Sequence, residues 1–308
     1  MALPLGELAA LGTAVCWTFT ALLFADAGAR VGSLVVNFLR LVIAIGLLAM
    51  LGWATRGLPW PTDASAHAWT WLSISGAVGF AIGDLCLFRA LVVIGPRLST
   101  LLMCFAPPFA ALIGWLMLDE TLRGDQLLGM ALTVGGVGWA LADGRRSAAP
   151  SEPTTEPALS RRALVIGVVL SLLGALGQAG GLVLSKLGMG DYDPFAATQI
   201  RVFAGTLAFA VIFTLTRRWP LVIAALGDRR AMASTSLGAV FGPFLGVGLS
   251  LFSVQRISAG VSASLMAIAP ILIIPVVVLV RRERVGLGGV LGTVVAVAGV
   301  IVLVLVTG

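Results

Sequence analysis

The chain has 308 residues, of which 59% are hydrophobic and only 11% are charged. An ordinary soluble domain carries about 25% charged residues, and its interior is too small for so much apolar surface, so the composition excludes a soluble fold. The 20 lysines and arginines outnumber the 14 acidic residues, but they form no basic face with interleaved aromatic residues, and we expect no nucleic-acid partner.

Ten apolar runs follow one another along the chain, and each is long enough to cross a membrane as a helix. They cover residues 3–24, 32–55, 68–91, 97–117, 125–142, 163–186, 194–216, 231–254, 259–280 and 286–306. Residues 143–162 are polar and proline-rich, which predicts a solvated linker. We therefore predict an all-α integral membrane protein with ten transmembrane helices, in which residues 1–142 and 163–308 form two five-helix units.

The two halves of the chain resemble each other. An offset of 161 residues aligns Arg40 with Arg201, and an offset of 163 aligns eight further identical pairs. These pairs are Gly79 with Gly242, Gly83 with Gly246, Ser99 with Ser262, Met103 with Met266, Pro107 with Pro270, Glu120 with Glu283, Gly129 with Gly292 and Gly136 with Gly299. Because a five-span unit begins and ends on opposite sides of the membrane, the second copy is predicted to be inverted, as in many transporters.

The distribution of basic residues predicts the orientation in the membrane. The odd-numbered loops contain thirteen arginines, whereas the even-numbered loops contain only four basic residues: Arg56, Arg123, Lys186 and Arg256. Lysine and arginine are retained on the cytoplasmic side during insertion. We therefore predict a cytoplasmic linker and two periplasmic termini, in a bacterial inner membrane.

These features resemble the EamA-type branch of the drug/metabolite transporter superfamily, over nearly the whole chain. The residues that carry the resemblance are Arg40, Gly83–Leu91, Leu101–Pro107, Asp119–Leu122, Gln126, Gly129 and Gly135–Gly136 in the first half, and Asp193–Pro194, Arg201, Pro270, Glu283, Gly292 and Gly299 in the second. The resemblance implies a ten-helix carrier with a central cavity and metabolite export, with the YddG-like aromatic amino-acid exporters as one possible branch. The chain departs from the family in one place, because Ala25 replaces the lysine that matches Lys186.

Four ionisable residues lie well inside predicted spans, and they are Arg40, Asp84, Arg89 and Arg201, whereas Glu7 lies close to the end of the first span. Such residues cost about 2.5 to 3.5 kcal/mol on insertion, so they usually face a bundle interior or a water-filled cavity. We assign them to charge pairing or coupling and expect Asp84 to reach Arg40. Two interpretations stay open, a structural ion pair or a site in which Asp84 binds a proton or an amino group while an arginine binds a carboxylate.

A second set of candidates consists of polar and aromatic residues near the middle of their spans. An aromatic cavity with a few polar groups suits a small amphipathic solute, although the same residues can also serve helix packing or face lipid. Together with Asp84, the predicted substrate-binding residues are Trp17, Asn37, Phe80, Met103, Gln178, Gln199, Ser250 and Ser264.

Prolines and glycines predict where the helices bend and where they pack. Pro107 and Pro270 fall near the centres of the fourth and ninth predicted spans, where proline removes a backbone hydrogen bond, so both are candidate hinges. Glycines in the third and eighth spans predict close helix packing, either static or permitting helices to slide. Glu120 and Glu283 are predicted to favour the N-termini of the helices that follow them.

Two classes of function compete for this architecture. A membrane-embedded enzyme acting on a lipid or prenyl substrate would need clustered carboxylates or a histidine constellation, but His67 is the single histidine and lies in a predicted loop. The sequence also has no Walker A motif. We therefore predict a secondary transporter that exports a small metabolite, most simply an amino acid, without metal or cofactor, and we expect a monomer in the lipid bilayer.

Overall fold

The computed structural model describes residues 4–143, 161–269, 271–272 and 287–307, and all regular structure within them is helical. The first half contains α1 (Leu5–Val31), α2 (Ser33–Arg56), α3 (Ala66–Gly76), π1 (Ala77–Gly83), α4 (Asp84–Leu102), a 3₁₀ segment (Met103–Phe105), α5 (Ala106–Leu118) and α6 (Gly124–Asp143). The second half contains α7 (Arg161–Met189), α8 (Pro194–Leu215), α9 (Trp219–Leu226), α10 (Arg229–Ala239), π2 (Val240–Gly246), α11 (Val247–Val254), α12 (Ala259–Met266) and α13 (Leu287–Thr307).

The predicted all-α membrane fold is confirmed. Seven helical stretches in the described residues are long and apolar enough to cross a membrane, and they are Leu5–Val31, Ser33–Arg56, Ala66–Ala90, Arg161–Met189, Pro194–Leu215, Arg229–Val254 and Leu287–Val306. The fourth predicted span corresponds to a shorter apolar helix, Met103–Leu118. The fifth corresponds to α6, and α12 begins the ninth, whose later residues mostly lie outside the described part. Large apolar side chains such as Leu215 are exposed, as a lipid-facing surface requires.

Three predicted loops contain helix instead, and the first of them, residues 25–31, belongs to α1 (Leu5–Val31). The predicted break at residues 92–96 is wrong, because α4 continues to Leu102 and the helix geometry changes at the 3₁₀ segment. Tertiary packing accounts for the difference: Ile94 is buried against Gly167 of α7. The loop after the seventh predicted span contains α9, which is held by Trp219 against Phe38 and Phe213 at ring distances of 5.5 and 5.8 Å.

The two halves pack against each other in equivalent ways. α1 packs on the α10–π2–α11 segment, and α7 packs on the α3–π1–α4 segment, so the first span of each half contacts the third span of the other. The second spans, α2 and α8, also pair, as do the last spans, α6 and α13. This reciprocal pattern is expected of two repeats related by a two-fold axis.

The α6–α13 interface shows the two-fold relation residue by residue. A Cβ on Gly136 would lie 2.7 Å from the carbonyl oxygen of Gly292, and a Cβ on Gly299 would lie 2.7 Å from that of Gly129. The offset of 163 residues found in the sequence converts one of these contacts into the other. Only glycine permits two helix backbones to approach so closely, so both contacts require the small residues found there.

The third span of each half contains a π-helical segment that the sequence did not predict. π1 and π2 are seven residues long and are related by the same offset of 163 residues. π-helical insertions are rare and occur frequently at functional sites. Asp84 follows π1 directly, so the insertion fixes the direction in which this carboxylate projects from the helix.

Candidate substrate site

An ion pair lies next to the first π-helical segment. The guanidinium of Arg40, on α2, donates a hydrogen bond to Oδ2 of Asp84, so the contact expected between these two residues is present. Asp84 is only 6% exposed. A buried carboxylate is tolerated when a cation and further donors satisfy it, and the arginine supplies the opposite charge.

The other oxygen of Asp84 is held by the opposite repeat. Gln178 of α7 donates from Nε2 to Oδ1 of Asp84 over 2.8 Å. α7 comes this near because its Gly177 lies against Gly83, where a Cβ on Gly177 would be 2.8 Å from the Cα of Gly83. The carboxylate of Asp84 therefore links α2, α4 and α7 and joins the two halves of the protein. We call Arg40, Asp84 and Gln178 the ionic cluster.

The ionic cluster is bordered by an aromatic ring. The guanidinium carbon of Arg40 lies 5.3 Å from the centre of the Phe24 ring, a distance that permits a cation–π interaction. Phe24 in turn packs against Gly238 of α10, where a Cβ would lie 2.7 Å from a ring carbon. Arg40 is thus in contact with α1 as well as with Asp84, and its Nε has no hydrogen-bond partner in the described part of the chain.

A second buried arginine occurs in the equivalent helix of the other half. Arg201 of α8 is 5% exposed, and its guanidinium carbon lies 5.2 Å from the centre of the Phe80 ring of π1. A Cβ on Gly79 would be 3.4 Å from Nη2 of Arg201, so this glycine leaves room for the guanidinium. Within the described residues Arg201 forms no ion pair, and its buried Nε has no acceptor.

The remaining predicted site residues have separate environments. Trp17 packs against Gly246 at the end of π2, and Asn37 is 2% exposed with no partner for Nδ2 among the described residues. Met103 is half-buried at the start of the 3₁₀ segment. Arg89 is exposed and forms no ion pair with any described residue.

Three predicted polar residues bind backbone rather than one another. Gln199 donates to the carbonyl oxygen of Pro59, in the loop after α2, over 2.9 Å. Ser250 and Ser264 donate to carbonyl oxygens of their own helical segments, those of Val247 and Gly260. The structure therefore does not bring these three side chains to the ionic cluster.

The predicted position of Pro107 within its helix needs correction. Pro107 lies in the first turn of α5, directly after the 3₁₀ segment, and not near the middle of a helix. The missing N–H of a proline is tolerated in a first turn, because the N–H groups there have no intrahelical acceptor. The change in helix geometry is therefore at Met103–Phe105. Pro270, the other candidate hinge, lies outside the described residues.

Glu120 has a different role from the one predicted. Its Oε1 pairs with Nζ of Lys186 over 2.6 Å, and its Oε2 accepts from the backbone N–H of Ala259 over 2.8 Å. Glu120 therefore caps α12, in the opposite half, and not α6. Lys186 also donates to the carbonyl oxygen of Ile257 over 2.7 Å. Both charged residues are visible in the sequence, but the contact between the repeats that brings them together is not. Glu283 lies outside the described residues.

A polar cluster in the loops binds the two halves together at the same end of the bundle. Tyr192 donates to Asp63 over 2.8 Å, and Arg56 pairs with the same carboxylate. The hydrogen bond from Tyr192, followed by Arg56, holds the pKa of Asp63 below its usual value. Partial burial and the neighbouring Asp63 raise the pKa of Tyr192 to about 12. A cavity of about 350 Å³, lined by residues that include Asp63, His67 and Tyr192, adjoins this cluster.

An all-helical membrane protein with two reciprocal halves and a buried ionic cluster between them has the architecture of a secondary transporter. The sequence model of the EamA-like transporter family matches residues 4–142 and 165–305, and the chain belongs to this family. The two matches coincide with the two repeats, and the family identifies a transporter and not an enzyme.

Two further comparisons bear on the fold and on close relatives. A solved crystal structure, titled only as that of a protein, superposes with a TM-score of 0.69 over 98% of this chain and 97% of its own, at 17% sequence identity. At that identity the likeness supports the fold alone. A search of curated proteins gives no match.

Proposed function

We propose that this protein exports amino acids across the bacterial inner membrane by alternating access, with the solute bound at the ionic cluster. The observation that carries the proposal is the position of Asp84, whose carboxylate is shared between α2 and α4 of one repeat and α7 of the other. A solute that competes for this carboxylate changes the bonds between the repeats, and such a change is what alternating access requires.

The chemistry near the cluster suits an amino acid. Asp84 provides a carboxylate for an α-amino group, and the nearby arginines provide cations for an α-carboxylate. The aromatic rings of Phe24 and Phe80 lie against Arg40 and Arg201, and they can bury an apolar side chain. This combination supports the aromatic amino-acid exporters as the nearest branch in function.

Glycine contacts provide a route for the motion. α7 contacts Gly79 and Gly83 of the third span through its own Gly181 and Gly177, so no side chain separates the two helices at these four positions. Sliding along this surface would separate Gln178 from Asp84 without unfolding a helix.

We propose that the linker is cytoplasmic, that both termini are periplasmic and that the protein works as a monomer.

Counterflow in proteoliposomes tests the proposal. Vesicles containing the purified protein are loaded with one unlabelled amino acid and assayed for uptake of the same labelled compound. We expect saturable exchange by the wild type and a loss of at least about tenfold in Asp84→Asn, because the neutral amide no longer binds a cationic amino group strongly. Asp125→Asn is the matched control, since Asp125 pairs on the surface with Arg123, which is 72% exposed.

Two results would contradict the proposal. Exchange in Asp84→Asn at the wild-type rate would remove the cluster from the transport site. Exchange of sugars or nucleotide sugars in place of amino acids would retain the carrier and overturn its proposed substrate class.

A further inference from the structure

We infer that Arg201 binds the carboxylate of the transported solute, in a site that is the unpaired counterpart of the Arg40–Asp84 ion pair. The inference rests on the proposed function, since it places the solute between the repeats, and it names the residue that recognises the acidic group.

Duplication explains why one arginine is paired and the other is not. Arg40 and Arg201 occupy equivalent positions in the second span of each half. The residue equivalent to Asp84, at the offset of 163 residues, is Val247. The first repeat therefore contains an arginine and its acid, whereas the second contains only the arginine. An arginine without the acid that its counterpart pairs with leaves a position where a carboxylate from outside the protein can bind.

Contacts with three neighbouring residues fix the position of Arg201. Its backbone carbonyl packs so closely on Gly76 that a Cβ there would overlap the oxygen. Its guanidinium lies over Phe80, and Gly79 leaves space beside Nη2. α8 and π1 thus hold the guanidinium in place before any ligand binds, which reduces the entropy lost on binding.

The charge of Arg201 is not compensated within the described part of the chain. A guanidinium stays protonated in proteins, so burial cannot be relieved by loss of the proton. No described carboxylate lies within 4.0 Å of its nitrogens, and the buried Nε lacks an acceptor. An anion that binds here satisfies both the charge and the donor, and the binding energy includes the relief of this desolvation.

The number of charges selects one negative group. Arg40 and Asp84 neutralise each other, which leaves the single positive charge of Arg201 near π1. A monocarboxylate matches that charge, whereas a phosphate dianion would remain half-compensated. Gly79 connects the two regions, since its carbonyl oxygen lies 3.5 Å from Nε2 of Gln178, which binds Asp84. A carboxylate on Arg201 therefore directs the amino group of an amino acid towards the ionic cluster.

Ligand-dependent thermal unfolding of the full-length protein in detergent tests the inference without requiring transport. The probes are L-phenylalanine and L-leucine, their carboxamides L-phenylalaninamide and L-leucinamide, and inorganic phosphate. Each amide keeps the amino group and side chain and loses only the negative charge. We expect the acids to stabilise the wild type and the amides to do so weakly or not at all.

Variants of Arg201 identify the residue responsible. In Arg201→Gln we expect acid affinity to fall by about ten- to a hundredfold, with little change for the amides. Arg201→Lys keeps the charge but not the planar fork, so it should retain part of the preference for acids. Arg123→Gln, a change at an exposed arginine, should behave as the wild type. If Arg201→Gln does not fold, the lysine variant decides, and an unchanged acid-to-amide ratio there overturns the inference.

The remaining outcomes are also decisive. Equal stabilisation by acids and amides, stabilisation by phosphate in preference to carboxylates, or no effect of any carboxylate would overturn the role of Arg201. Unchanged counterflow of amino acids in Arg201→Gln would overturn this inference while leaving the proposed function intact. Binding of the acids through Arg201 without any exchange in vesicles would support this inference and overturn the proposed function.

Discussion

At the scale of single residues, the buried charge of Asp84 has an opposite charge beside it, whereas that of Arg201 has none among the described residues. Asp84 accepts from Arg40 and Gln178, which come from different repeats. Arg201 has no such partner in the described residues and rests on Phe80. The sequence predicted all four as site residues, because ionisable and polar groups within hydrocarbon need a reason to be there. It could not show which arginine was neutralised, since that depends on how the second and third spans pack.

Glu120 shows a second way in which the sequence alone is not enough to predict a contact. Its sequence position suggested a cap for the helix that follows it, yet the side chain binds Lys186 and the first N–H of α12. A local rule identifies the chemistry of a carboxylate near a helix N-terminus. Which N-terminus it reaches is decided by tertiary packing between the repeats.

Tyr192 permits a direct optical test of the loop cluster, because it is the single tyrosine of the chain. Its raised pKa means that the neutral phenol is favoured in the folded protein, so the associated stability is present below about pH 10 and is lost as the pH rises towards 12. We expect tyrosinate absorbance to appear with a midpoint near pH 12 in the wild type.

Asp63→Asn should move that midpoint partway towards the ordinary tyrosine value of about 10, because burial is the larger cause of the raised pKa of Tyr192 and the hydrogen bond to Asp63 adds to it. Asp125→Asn provides the control, since it changes an acidic residue that forms its ion pair elsewhere, with Arg123. A wild-type midpoint near 10, or no effect of Asp63→Asn, would show that the hydrogen bond between Asp63 and Tyr192 does not form in solution.

At the scale of secondary-structure elements, hydropathy located the spans well and their internal geometry poorly. The apolar runs matched the helices because transfer into hydrocarbon depends on composition and length. The predicted break at 92–96 failed because α4 gains packing against α7 near Ile94. Hydropathy did not reveal the π-helical segments, because an extra residue per turn does not alter it. The sequence signs of these segments are the glycines that end both and the proline in π2.

The crossing of α7 over π1 should be far more sensitive to added bulk than its neighbouring positions. A Cβ on Gly177 would lie 2.8 Å from the Cα of Gly83, whereas a Cβ on Gly180 would meet only a Val78 side chain at 3.8 Å. We expect Gly177→Ala to push the helices apart, weaken the bond from Gln178 to Asp84 and reduce counterflow by about tenfold. The measurements are counterflow and thermal unfolding of each variant.

Gly180→Ala is the matched control, one turn further along the same helix, and should keep wild-type activity. Equal behaviour of the two alanine variants would mean that the close approach at Gly177 is not needed for transport.

At the scale of the whole molecule, the account depends on a duplicated and inverted chain. The repeat was visible in the sequence as matched glycines, and the same offset reappears in the contacts of Gly129 with Gly299 and Gly136 with Gly292. The residues that differ between the repeats carry the function we propose. Val247 takes the position equivalent to Asp84, so the first half supplies an arginine with its acid, whereas the second half supplies an arginine that has no acid partner among the described residues.

The measurement that tests this account most directly is an experimental structure of the protein with bound L-phenylalanine. We predict that the amino group contacts Asp84, that the carboxylate lies on Arg201 and that the ring packs near Phe80. An amino acid bound in the loop cavity beside Asp63 and Tyr192, with the ionic cluster unchanged and unoccupied, would contradict the central claim that the solute passes between the repeats at Asp84.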